Sequence, residues 1–213
     1  MLKIGQSNIK QALTYECITM VEVSITTPTV TGENRIAVNR INRFYSHAAS
    51  RLFQKACKNL LPAAIEEYKQ SLADGFPFRP YEFTAVFEAT LLNDCYFSLY
   101  RDNYVYTGGA HGNTERVGEA WSVNSGWLTE LCSFFPRNVN YKRLLTDNAI
   151  EIAARQMECG THRYFDDYPQ LIRQYFAPSR YYLVKNGIAI YYGQYEIAPY
   201  VEGIPVFVYE CGV

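Results

Sequence analysis

The sequence predicts an α+β fold whose sheet is largely antiparallel and packed by helices. Stretches with apolar residues at every second position stand beside stretches with helical apolar spacing. Their order is strands, helix, hairpin strands, helices and strands again, without the regular alternation of a doubly wound βαβ protein. Turn signals at Asn93-Asp94, Arg101-Asp102-Asn103, Asn124-Ser125-Gly126 and Asn186-Gly187 separate short extended runs, the pattern of successive hairpins.

Residues 12–30 place Tyr15, Cys17, Thr19, Val21, Val23 and Ile25 on one side and read as one long strand or two short ones. From 35 to 61 the spacing becomes helical, through Ile36, Ile41, Phe44, Tyr45, Ala48, Leu52 and Phe53, with Asn34 as a start signal and Pro62 as a break or kink. A second helix, 63–72, closes at Asp74-Gly75. Tyr81, Phe83, Ala85, Phe87 and Ala89 alternate, and 95–100 returns after the Asn93-Asp94 turn as a hairpin. Residues 104–107 extend again, and after a glycine-rich break so do 115–123. The stretch 141–157 is helical between an Asn140 cap and Gly160, and 166–176 is a short helix opened by Asp166 and Asp167. Residues 181–185 and 188–192 flank Lys185-Asn186-Gly187-Ile188 as a type I′ hairpin, and 206–209 supply the last strand.

The 213 residues carry 20 basic and 21 acidic side chains, a net charge of −1 that gives no global drive toward nucleic acid or anionic membrane. Six cysteines lie 27 to 52 residues apart with no C-x-x-C pair, so a zinc ribbon or redox motif is not expected and free thiols are. Nineteen tyrosines suit half-buried and contact surfaces as well as core packing. No run of eighteen apolar residues occurs, and the start lacks the apolar stretch of a signal peptide. As printed the chain is expected in the cytoplasm; an ectodomain excised from an anchored protein would lie outside it.

The segment Tyr106-Thr107-Gly108-Gly109-Ala110-His111-Gly112-Asn113 holds three glycines that turn the backbone sharply and can aim amides at an anion. Its spacing fits neither phosphate-loop pattern, so the alternatives are a tight turn or a ligand site at Gly108, Gly109 and His111. His47, His111 and His162 are isolated, and no metal or other cofactor is expected. Tyr164-Phe165-Asp166-Asp167-Tyr168-Pro169 has a superficial likeness to the acidic motif of polysaccharide deacetylases. However, Tyr168 stands where a glycine is needed, and no downstream histidine pair completes a zinc site. Gly-x-Ser-x-Gly is absent, and Glu82, Glu88, Glu115, Glu119 and Glu130 are too scattered to nominate a carboxylate pair.

The Tyr106-to-Gly112 segment and Tyr192-Gly193-Gln194-Tyr195-Glu196-Ile197-Ala198-Pro199-Tyr200-Val201-Glu202-Gly203 together resemble the extracytoplasmic RsiV-like family. The preceding half is similar to the non-catalytic N-terminal region of the peptidoglycan deacetylase PdaC. The resemblance implies two intimately associated halves, residues 1–107 PdaC-like and 108–213 RsiV-like, the second reminiscent of a heat-shock cognate ATPase subdomain. It further implies a non-catalytic binding or sensing module, with lysozyme or a peptidoglycan fragment as partner and no catalytic residue. Pro199 keeps its segment extended, so Tyr195 and Tyr200 offer aromatic contacts and Glu196 a charge for a basic partner. The alternatives are a hydrolase centred on His111 and a structural accessory domain. The candidate ligand-binding residues are thus Gly108, Gly109, His111, Tyr195, Glu196 and Tyr200.

Overall fold

A computed structural model describes residues 2–212. The chain begins with a long hairpin, β1 (Lys3–Tyr15) and β2 (Ile18–Thr31). Helix α1 (Arg35–Lys55) follows, then a π-helical stretch (Ala56–Leu60) and α2 (Leu61–Asp74). Next come β3 (Tyr81–Leu92), β4 (Tyr96–Tyr106) and β5 (Asn113–Ser122), then a 3-10 turn, α3 (Tyr141–Glu158) and α4 (Tyr168–Tyr175). Strands β6 (Tyr181–Val184), β7 (Gly187–Tyr191) and β8 (Val206–Glu210) complete it. Two sheets result, a five-stranded one in the order β1-β2-β3-β4-β5 and a three-stranded one in the order β6-β7-β8.

The fold is α+β as expected, but the larger sheet is mixed. Strands β1 and β2 run antiparallel, whereas β2 and β3 run parallel, Val21 opposite Tyr81 through Ile25 opposite Ala85. The cause is the long excursion between them: α1 and α2 carry the chain back before β3 begins, and such a crossover joins parallel neighbours where a tight turn cannot. The smaller sheet is antiparallel throughout.

Two compact units are present. The first contains residues up to Phe87 together with Arg101–Thr114; the second contains Glu88–Tyr100 and everything from Glu115 onward. Strands β3, β4 and β5 each pass from one unit to the other along their length.

In the first unit, the sheet residues Met20, Val21, Val23, Ile25, Tyr81, Phe83 and Ala85 meet Ala49, Ala56 and Ala64 in one buried cluster. Small residues on the helix side let the backbones approach closely. Asn42 on α1 clamps β2, its side-chain amide exchanging two 2.8 Å hydrogen bonds with the Val30 backbone. Asn34 caps α1 by accepting from the Ala37 amide. Pro62 does not end the helical run. It sits in the first turn of α2, directly after the π-helical stretch, where its missing amide donor is tolerated. Strand β1 starts at Lys3, well before the alternation visible from residue 12, and most of its residues are exposed, with Leu13 buried in the core and Ile9 and Tyr15 packed against it. Its turn to β2 places Glu16 and Cys17 at φ of 49° and 63°, the left-handed pair that a two-residue hairpin demands.

In the second unit, Leu145, Ala149 and Ala153 of α3 and Ile172 of α4 pack with Leu183, Ile188, Ile190, Tyr192, Ile197 and Phe207. The β6–β7 hairpin turns at Lys185-Asn186, one residue earlier than expected, and neither residue has positive φ, so the turn is not type I′. Gly187 instead opens β7, because any Cβ there would lie 2.0 Å from the Tyr209 carbonyl oxygen of β8. All six cysteines are free thiols. Among the described residues, no helix is long and apolar enough to cross a membrane.

Candidate functional site

The glycine-rich loop between β4 and β5 belongs to the first unit, and packing accounts for two of its glycines. Gly108 turns at φ 83°, and a Cβ there would lie 2.8 Å from the Glu67 carboxylate. That carboxylate accepts a 2.5 Å hydrogen bond from the Tyr81 hydroxyl. Burial, then the Glu67 hydrogen bond and charge, pushes the Tyr81 phenol up to about 12. Gly112 is buried against the Tyr104 ring, whose atoms a Cβ would meet at 2.2 to 2.6 Å. Gly109 and His111 are exposed, and His111 Nδ1 lies 3.1 Å from the Gly112 carbonyl oxygen.

The other three candidate residues lie in the second unit, and the fold brings them together between β7 and β8. Glu196 is held from two sides, by the Gly193 amide at 2.7 Å and by Arg180 Nη1 at 2.5 Å. Beside this anchor Tyr195 adopts φ 63°, an uncommon conformation for a bulky residue, and is 54% exposed. The Tyr195 and Tyr200 rings lie 5.5 Å apart, tilted by 31°. Below them Ile197 and Ala198 are buried, and the Ile197 carbonyl accepts from the Phe165 amide at 3.1 Å. Glu202 fixes the far end by accepting from the Arg163 amide at 2.9 Å. Tyr192 anchors the near end through a 3.0 Å bond from its hydroxyl to the Ile172 carbonyl, and burial raises its phenol well above the usual range. The Glu196 carboxylate expected for a basic partner therefore already serves Arg180 and Gly193, and the outward surface is aromatic.

A cleft of about 380 Å³ in the second unit was not visible in the sequence. It forms where β5 passes β6: a Cβ on Gly118 would lie 2.0 Å from the Tyr181 carbonyl oxygen, and the Gly118 amide donates to the Tyr191 hydroxyl at 2.8 Å. Glu119, Leu128, Glu130, Cys132, Tyr141 and Tyr181 are among its lining residues. The Tyr181 hydroxyl donates to the Thr129 carbonyl. Burial first, then the neighbouring Cys132 and Glu130, raise both the Tyr141 and Tyr181 phenols, which stay protonated at neutral pH. Spread over more than sixty positions, these residues carry no motif; the isolated Gly118 within a strand pattern was the one available signal of close backbone approach. Among the described residues no group of three His, Cys, Asp or Glu side chains is placed to hold a metal ion.

Residues 16–114 match the family model described as deacetylase PdaC, and residues 133–208 match that of a protein of unknown function, DUF3298. The chain carries a PdaC domain followed by a DUF3298 domain. The loop at 106–112 falls in the first match and the 192–203 segment in the second, while cleft residues 118–132 fall between them. A crystal structure of a DUF3298 family member from Bacteroides fragilis is similar with a TM-score of 0.71 at 15% identity. It covers 98% of this chain and 90% of that one. A DUF3298 family protein from Pseudomonas aeruginosa is similar at 0.62 and 15% identity, over 99% of this chain and 91% of that one. Both show the fold of this PdaC–DUF3298 chain. No curated protein matches it.

Proposed function

We propose that this PdaC–DUF3298 protein is a non-catalytic recognition module of the RsiV-like extracytoplasmic kind, whose ligand is lysozyme or a cell-envelope glycan fragment. The observation that supports this reading is the Tyr195–Tyr200 pair, two adjacent tyrosines on a segment pinned by Glu196, Arg180 and the Gly193 amide. Strained backbone under an exposed aromatic is retained where surrounding structure over-determines it, and rigid tyrosines make contact surface at low entropic cost. Residues 1–107 and 108–213 are proposed as the two family halves. The likeness of the second to a heat-shock cognate ATPase subdomain is proposed as one of fold alone, since fold and chemistry separate readily.

Titration calorimetry with lysozyme and with purified muropeptides tests the reading. Saturable heat with one of them is expected, weakened about thirtyfold in Tyr195→Ala, the scale of an aromatic anchor. Silence toward both ligands discards them, and heat unchanged in Tyr195→Ala moves the contact surface elsewhere.

A further inference from the structure

The cleft beside β5 has a chemistry of its own. At about 380 Å³ it falls within the range of ligand sites. The described residues that line it include two glutamates and two tyrosines but no lysine, arginine or histidine. The two acids are not equivalent. Glu119 is 5% exposed and shares its surroundings with Arg180 and Arg116, since all three act on the Tyr191 phenol; its charge belongs to the interior. Glu130 is exposed, and Oε2 accepts from the Cys132 thiol at 3.5 Å, a weak donor.

The walls favour one kind of cation. Tyr181 commits its hydroxyl to the Thr129 carbonyl, is 4% exposed and packs against Phe134, so it forms the buried floor of the cleft and leaves Tyr141, half-buried, as the aromatic side wall. The Trp121–Leu128 bridge holds an apolar edge, Leu128 being 46% exposed and the adjoining Trp127 62%. A guanidinium forks onto a carboxylate, stacks on tyrosine faces and covers apolar surface with its stem, whereas an ammonium satisfies the charge alone. Among the described residues that line the cleft, an anionic ligand would meet carboxylates and no cation.

We propose that this cleft docks an arginine side chain presented by a protein partner, with Glu130 as counter-charge, Tyr141 as the aromatic wall and Tyr181 as the floor beneath it. The proposal rests on the recognition reading only in taking the partner to be a protein, and eight of the cleft's twelve residues lie outside both family matches.

The probe is blocked tetra-arginine peptide added to the full chain, followed by calorimetry and by the NMR signals of Tyr141 and Tyr181. Saturable binding that shifts both tyrosines is expected, about tenfold weaker in Glu130→Gln, abolished in Glu130→Lys, and unchanged in Tyr195→Ala. A tetra-lysine peptide is expected to bind more weakly. Because Glu130 is exposed, both variants should keep the parent melting temperature, which is checked first. Equal affinity in Glu130→Lys, or peptide binding that leaves the two tyrosines unmoved, overturns the proposal. Arginine binding with silence toward lysozyme and muropeptides would uphold this site while removing the named ligands; the reverse would uphold them and remove this site.

Discussion

Replacing Gly112 by alanine separates a packing role for the glycine-rich loop from a ligand role. On the existing backbone the new methyl would lie 2.2 Å from Tyr104 Cε2, 2.4 Å from Cζ and 2.6 Å from the hydroxyl oxygen. No Cβ tolerates such distances, so the half-buried ring must swing away or the strand ends must part, an overpacking cost of about 1–3 kcal/mol. Gly112 does not adopt positive φ, so alanine brings no backbone strain. With the ring removed, it should stabilise by about 0.4–1 kcal/mol through the unfolded chain. The two positions should therefore be coupled by roughly 1.5–4 kcal/mol. Urea unfolding of the parent, Gly112→Ala, Tyr104→Ala and the double variant measures this as a cycle. Gly112→Ala alone should lower the melting temperature by about 2–12 °C, while in the Tyr104→Ala background it should be neutral or favourable. Additivity within about 0.5 kcal/mol would refute the packing account, and a loss of ligand affinity at unchanged stability would return the loop to the binding surface.

Gly118→Ala drives a methyl to 2.0 Å from the Tyr181 carbonyl, a backbone atom that cannot swing aside, and should cost about 3 kcal/mol or more in a urea melt. The Tyr81 phenol is raised from 10 to about 12, so the folded state holds its proton more tightly. Its contribution is complete below pH 10 and is lost as pH rises toward 12. Urea midpoints between pH 9 and 12 should fall, less steeply in Tyr81→Phe; Tyr164 and Tyr191, also raised to about 12, act in the same direction. Arg180→Ala and Glu196→Gln should show a coupling of about 1 kcal/mol in a double-mutant cycle, modest because both side chains are partly exposed. Both variants should also weaken any ligand held by Tyr195, as seen in calorimetry.

Side-chain caps in the sequence marked element ends, whereas Arg101-Asp102-Asn103, expected as a turn, lies inside the continuous strand β4, and strand partners were poorly marked. Asn34 and Asn140 cap α1 and α3 through their side-chain oxygens, and Asn93 closes the β3–β4 turn by accepting from the Cys95 and Tyr96 amides; each needs only neighbours in the chain. The parallel pairing of β2 with β3 depends on where the crossover of residues 32–80 returns the chain, which alternation does not encode. Residues 3–11 of strand β1 escaped notice because most of them face water and show no apolar period, and its turn uses Glu16 and Cys17 instead of glycine or asparagine. The same division governs the sites. Tyr195, Glu196 and Tyr200 were legible as a group because they share one short segment. The cleft is assembled from four stretches whose meeting is a product of tertiary packing.

The glycines of both signature segments explain why those segments mark a scaffold more than a specificity. Beside Gly108 stands Glu67, beside Gly112 the Tyr104 ring, and beside Gly193 the Glu196 carboxyl, each within about 3 Å of where a Cβ would be. A motif built from such contacts constrains the backbone and leaves the outward side chains free to differ, as a fold shared at 15% identity requires. On the proposed recognition reading, the outward groups of the second unit that would carry specificity are Tyr195 on its strained backbone and Glu130 at the mouth of an acid and aromatic cleft, the first within a domain match and the second between the two.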